Sequence, residues 1–94
     1  MNKFLIELKI ERLYRRGNKL LERLDYIVAE HAKHRQETEE IDEFDSTLSA
    51  YEHALKSDLY GINARLFKVS QKYGRKCNLF DFEWNDYSGV LLGV

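Results

Sequence analysis

Three histidines are the residues best suited to metal binding. His31 and His34 are three positions apart, which places both on one face of a helix, and His53 could approach them from a second helix. No complete set of metal ligands with a recognised spacing accompanies them. Both also fall on an apolar helix stripe, where histidines usually pack. We therefore predict that His31 and His34 are packing residues and that the protein holds no metal.

A catalytic nucleophile is not indicated either. Cys77 follows Arg75 and Lys76, whose positive charges favour a reactive thiolate, but no base is positioned beside it in the sequence. The chain has no glycine-rich phosphate loop, no serine elbow and no CxxC pair. We predict no catalytic residue, no cofactor and no enzymatic activity.

Basic side chains form the largest candidate site. Arginine can hold a phosphate through two parallel hydrogen bonds, and a tyrosine ring can stack on a nucleotide base. The candidate anion-binding residues are Arg12, Tyr14, Arg15, Arg16, Lys19, Arg65, Lys68 and Lys72. Two other interpretations stay open, namely a solvated helix surface and a surface that docks on an acidic protein.

Aromatic residues near the C terminus form a second candidate site. Phe80, Phe82 and Trp84 could be the centre of a partner-binding surface, because aromatic residues dominate the energetics of interfaces. The alternative, which we favour, is that they close the apolar core or a dimer interface.

The cations belong to two segments with helical periodicity. Apolar residues recur every three or four positions over about 3–35 and again over about 39–73, which predicts two long amphipathic helices. The first stripe is Ile6, Ile10, Leu13, Gly17, Leu20, Leu24, Ile27, His31 and His34. The second stripe is Phe44, Leu48, Tyr51, Leu55, Leu59, Ile62, Leu66, Val69 and Tyr73. A short link makes such helices antiparallel neighbours, so we predict a mainly all-α protein built on a long helical hairpin.

The ends and the continuity of these helices depend on a few residues. Thr38 is predicted to cap the start of the second helix, and Gly74 to end it in a left-handed conformation. Gly17 could divide the first helix with a turn. The stripe keeps its phase from Leu13 through Gly17 to Leu20, so we predict a continuous helix.

Small residues follow one side of the second helix at the same spacing. The row consists of Ala50, Ala54, Ser57, Gly61 and Ala64. Such a row lets another helix come close, and a lone hairpin buries little apolar surface. We predict that two copies dimerise into a four-helix arrangement.

Residues 78–94 differ in character from the hairpin of residues 1–77. Phe80, Phe82 and Trp84 alternate with polar residues, which is the period of a β-strand, and turn-forming residues follow over 85–89. Two strands alone are marginally stable. We predict a short C-terminal β-hairpin or a tail docked on the helices.

Charge is distributed in blocks along the chain. Residues 1–29 carry seven basic and four acidic side chains, residues 30–58 carry three basic and nine acidic, and residues 59–76 carry five basic and none acidic. Three acidic side chains follow in residues 77–94. Folding the hairpin brings the first and third blocks together, which predicts a rod with one basic end and an acidic loop end.

Composition sets the remaining limits. The 94 residues make one small domain, and 44% hydrophobic with 13% aromatic residues is too apolar for a disordered tail. The net charge of −1 excludes a uniformly basic nucleic-acid binder, and the single cysteine fits a reducing compartment. The apolar run at Phe4–Ile6 is far too short for a signal peptide or a membrane span. We predict a cytoplasmic protein without a membrane partner.

Together these features predict a small non-enzymatic interaction protein, such as an inhibitor, an adaptor or an immunity-type factor. We expect a homodimer that acts by occupying the surface of a protein partner. The alternative function is binding of a phosphate-bearing ligand at the basic end, either a nucleic acid or a nucleotide signal that the protein sequesters.

Overall fold

The fold is an antiparallel hairpin of two long helices. The computed structural model describes residues 2–82, in which α1 spans Lys3–Glu37 and α2 spans Glu43–Tyr73. The molecule extends over 55 Å along its longest axis. The predicted helical hairpin is confirmed. Neither helix in the described part of the chain contains an apolar stretch that could cross a membrane.

The start of α2 differs from the prediction. Asp42, rather than Thr38, is the N-cap: its side chain accepts the backbone N–H of Asp45, and the Asp45 carboxylate accepts the backbone N–H of Asp42. This reciprocal capping box satisfies two donors that a helix start otherwise leaves unpaired. Thr38 instead ends α1, where its hydroxyl and its backbone N–H both donate to the carbonyl of His34. The second helix therefore begins at Glu43 and not near residue 39.

The other predicted helix features are confirmed. Gly74 ends α2 with a φ of 64°, the left-handed conformation expected of a C-cap glycine. Helix α1 runs through Gly17 without a break, and Asn2 caps its start by accepting the backbone N–H of Leu5.

The core lies along the two predicted stripes in the middle of the hairpin. Its buried cluster consists of Leu13, Leu20, Leu24, Leu55, Leu59, Ile62 and Leu66. The second stripe departs from the prediction near the loop, where Phe44 and Tyr51 are about half exposed. Asp45 is buried there instead, because His31 and Arg35 of α1 hold its carboxylate.

After α2 the chain turns back along the hairpin. We call residues 75–82 the C-terminal segment; it forms neither helix nor strand. Cys77, Phe80 and Phe82 pack against the core cluster, so this part of the predicted tail is docked. The remainder of the predicted β-hairpin, including Trp84, lies outside the described residues.

Candidate binding surface

Two adjoining grooves at the basic end of the hairpin bring cations together over apolar side chains. The first, of about 480 Å³, runs along α1 and is lined by Leu5, Leu8, Lys9, Arg12, Leu13 and Arg16. The second, of about 500 Å³, lies between the helices and is lined by Lys9, Leu13, Arg65, Lys68, Val69, Lys72 and Tyr73. Lys9 and Leu13 belong to both grooves, so we treat them as one surface and call it the basic face.

Every charged residue that lines the basic face is a lysine or an arginine. The carboxylates of α1 nearest in sequence are engaged with cations outside it. Glu11 forms an ion pair with Arg15 at 2.7 Å, one turn further along α1, and Glu7 forms an ion pair with Arg75 of the C-terminal segment. As a result, the cations of the basic face form no ion pair with any of residues 2–82.

The structure brings five of the eight predicted anion-binding residues to the basic face. Arg12 and Arg16 line the first groove, and the second groove is lined by Arg65, Lys68 and Lys72. The Lys72 ammonium lies 5.4 Å from the centre of the Tyr73 ring, within the range of a cation–π contact.

The other three predicted residues lie elsewhere. Arg15 is paired with Glu11, and Lys19 is exposed but lines neither groove. Tyr14 faces the C-terminal segment: its hydroxyl donates to the Asn78 carbonyl at 2.6 Å. Burial raises the pKa of Tyr14 above the usual tyrosine value. We therefore leave these three residues out of the basic face.

Lys9 is the cation of the basic face that the sequence interpretation missed. It precedes Arg16 by seven positions, which is two helical turns, so both side chains lie on one side of α1. The same spacing separates Arg65 from Lys72 on α2. A search for cations seven residues apart would have selected Lys9, but it would also have selected Lys19, which follows Arg12 by seven positions.

The C-terminal segment is fixed by contacts to both helices. The side-chain amide of Asn63 donates to the Phe80 carbonyl at 2.9 Å and accepts the Phe80 backbone N–H at 2.7 Å. The Phe80 ring packs beside Tyr14, with the ring centres 5.7 Å apart. It also lies directly on Gly17, where an added Cβ would fall within 3.0 Å of three ring atoms.

These contacts give Phe80 a structural role. Of the three predicted partner-binding aromatics, Phe80 and Phe82 pack against the core and Trp84 lies outside the described residues. Gly17 is required because the ring occupies the space of a side chain. The docked segment covers one side of the hairpin, and the basic face lies outside it.

At the loop end, histidines and carboxylates form a network. His31 Nε2 lies 3.1 Å from Asp45 Oδ1, and His34 Nε2 lies 3.0 Å from Asp42 Oδ1. Arg35 donates to Asp45 Oδ2 at 2.8 Å. The capping hydrogen bond from the backbone of the other aspartate is the main cause that lowers the pKa of Asp42 and of Asp45.

The hydrogen bonds of this network account for the positions of both histidines. His34, Asp42 and Asp45 place possible metal-ligand atoms within 4.8 Å of one another. However, the Asp45 oxygens already accept hydrogen bonds from Arg35, His31 and the backbone of Asp42. We interpret the network as a latch that joins the end of α1 to the start of α2.

Comparisons with protein-family models, with curated proteins and with solved structures find no match to this chain.

Proposed function

We propose that this chain is a non-enzymatic binding protein whose basic face receives an acidic segment of another protein. The observation that supports this is the combination, in one surface, of exposed apolar side chains and cations that form no ion pair with residues 2–82. An amphipathic acidic helix would place its apolar side on these apolar side chains and its carboxylates beside the cations. By occupying its partner's surface, the protein would act as an inhibitor or an adaptor does.

The exposed apolar side chains favour a protein segment over a phosphate group. Leu5, which is 48% exposed, and the partly exposed Leu8 line the first groove. Covering such surface stabilises a complex by roughly 25 cal/mol per Å². From Leu5 to Arg16 the first groove is about 17 Å long at 1.5 Å per residue, which accommodates about three turns of a bound helix.

A second candidate function is binding of a phosphate-bearing ligand on the same surface. The observation in its favour is the set of six lysines and arginines with no carboxylate among the lining residues, together with the Tyr73 ring. A phosphate polymer would depend on the cations and not on the leucines. Its affinity would fall steeply with salt, because each neutralised phosphate releases counterions.

The test compares two labelled probes by fluorescence anisotropy. One is a synthetic acidic amphipathic helix of leucine and glutamate, and the other is a single-stranded oligonucleotide. Replacing both Arg12→Gln and Arg16→Gln should weaken binding of the peptide. The matched control replaces Lys19→Gln and Arg23→Gln, two exposed cations of α1 that line neither groove, and so removes the same formal charge. Equal losses from both pairs would contradict a localised site.

The apolar side chains of the first groove distinguish the two candidate functions, because only a protein segment would contact them. Leu5→Ser should weaken the peptide complex and leave oligonucleotide binding unchanged, since the serine removes only apolar contact area. Binding of the oligonucleotide alone, insensitive to Leu5→Ser and lost in high salt, would favour the phosphate ligand and contradict the protein partner. Far-UV circular dichroism confirms that each variant keeps its helices.

A further inference from the structure

The outer face of α2 is the second surface that has no partner within the hairpin. We define it by Ala50, Ala54, Ser57, Gly61, Ala64 and Phe67. Five of these residues are exposed, and Gly61 is half-buried. The Phe67 side chain is 54% exposed. The face lies on the side of α2 opposite the buried leucines that contact α1.

No contact within residues 2–82 explains why a glycine occupies position 61. Glycine is the least favourable residue in a helix interior apart from proline, and Gly61 lies in the middle of a 31-residue helix. At Gly17 the Phe80 ring occupies the position that a Cβ would take, whereas around Gly61 nothing in the described residues lies within 4 Å of that position. If another chain approached α2 closely at this point, it would occupy the space that a side chain at position 61 would take, as the Phe80 ring does at Gly17.

The charges at the two ends of α2 indicate which chain approaches and in which direction. Exposed carboxylates cluster before and at its start, and exposed lysines follow its last turns. The carboxylates are Glu39, Glu40 and Glu43; the lysines are Lys68, Lys72 and Lys76. If the α2 helices of two copies pack antiparallel, the acidic end of each helix lies beside the basic end of the other, and the two-fold symmetry gives two such contacts. A parallel copy would place like charges together.

We propose that the outer face of α2 binds the same face of a second copy, with the two α2 helices antiparallel. Ala50 then faces Ala64 of the second copy, Ala54 faces Gly61, and Ser57 lies at the symmetry axis. The small side chains allow a close approach of the helices, and Phe67 covers the neighbouring turn of the other chain. The dimer is a four-helix arrangement in which Lys68 and Lys72 of the second groove lie beside carboxylates of the second copy, whereas the first groove, along α1, stays open to the acidic segment.

The proposed dimerisation is tested first by substitutions at Gly61. Sedimentation equilibrium should show a dimer of the wild type, and Gly61→Leu should raise the dissociation constant at least about tenfold by overfilling the contact. Gly61→Ala is the sharper variant. In a helix with an open face the alanine would only stabilise the fold, whereas in the dimer it must also weaken association. A wild type that is monomeric at high micromolar concentration overturns the proposal.

The relative direction of the two α2 helices in the dimer is tested by disulfide cross-linking in a Cys77→Ser background. Protein with Ala50→Cys is mixed with protein carrying Ala64→Cys, and each is also oxidised alone. An antiparallel pair gives cross-linked heterodimers in the mixture and no cross-link in either protein alone. Cross-linking of the Ala50→Cys protein with itself indicates a parallel pair and overturns the proposal. The absence of any cross-link does so as well.

Two controls keep this proposal separate from the proposed function. Arg12 and Arg16 lie on the basic face and not on the outer face of α2, so Gln replacements there should leave the dissociation constant of the dimer unchanged. Conversely, Gly61→Leu should leave binding of the acidic peptide intact. If Gly61→Leu lowers the thermal stability of a chain that is already monomeric, residues of the same chain cover the outer face, and the proposal is wrong.

Discussion

Replacing Gly17 by alanine should destabilise the protein, although the same change stabilises most helices. In an open helix interior, Gly→Ala contributes about 1 kcal/mol of stability. Here the new Cβ would fall within 3.0 Å of three atoms of the Phe80 ring. The ring cannot withdraw freely, because Asn63 holds the Phe80 backbone through two hydrogen bonds and Tyr14 packs on one side.

The expected size follows from the two opposing effects. Overfilling a packed site costs about 1–3 kcal/mol, so Gly17→Ala should lower the free energy of unfolding by about 0–2 kcal/mol once the helix gain is included. In a Phe80→Ala background the ring is absent. There Gly17→Ala should raise the free energy of unfolding by about 1 kcal/mol.

The assay is urea unfolding followed by far-UV circular dichroism on the wild type, both single variants and the double variant. All four are measured at one protein concentration, because self-association would change the apparent stability. The four values form a double-mutant cycle with an expected coupling of about 1–3 kcal/mol between positions 17 and 80. A Gly17→Ala variant that gains the full 1 kcal/mol, roughly the open-helix value, would refute the packing of Phe80 on Gly17.

Three further predictions concern the contacts that hold the hairpin and its C-terminal segment. Asn63→Ala should destabilise the protein by about 1–3 kcal/mol and accelerate hydrogen exchange at the Phe80 amide, and unchanged exchange would contradict the hydrogen bonds between Asn63 and Phe80. Tyr14→Phe should cost about 0.5–1.5 kcal/mol in urea unfolding through the lost hydrogen bond, and an unchanged midpoint would count against that bond. The pKa values of Asp42 and Asp45 are lowered in the fold, so their stabilisation is complete above the ordinary aspartate range near pH 4 and is lost as pH falls through their native values. The melting temperature should drop over that acidic range, and Asp45→Asn should flatten the drop; an equally steep profile in the variant would contradict this assignment.

The helices and the core could be predicted because helical periodicity is a local property of the sequence. Leu13, Leu59 and Leu66 are buried as their spacing indicates. The prediction failed beside the loop, where Phe44 is exposed and Asp45 is buried. The stripe of apolar residues could not show that His31 and Arg35 of α1 would hold this carboxylate.

The candidate site was predicted in part, for a similar reason. Blocks of charge located the basic end, because a hairpin must bring the first and third blocks together. Which cations share a groove depends on helix phase, and this separates Arg16 from Arg15. The pairing of Asn63 with Phe80 joins residues 17 positions apart through a segment without regular structure. No periodic pattern encodes such a contact.

The central claim, that the basic face binds an acidic protein segment, is tested most directly by site-specific photo-cross-linking in the native cell. A photoreactive amino acid replaces Leu5, inside the first groove, and in a matched variant replaces Tyr26, which is exposed on α1 and lines neither groove. The proposal predicts a discrete cross-linked protein from position 5 alone, lost when Arg12→Gln and Arg16→Gln are added. Cross-linking to nucleic acid, or equal cross-linking from both positions, would contradict it.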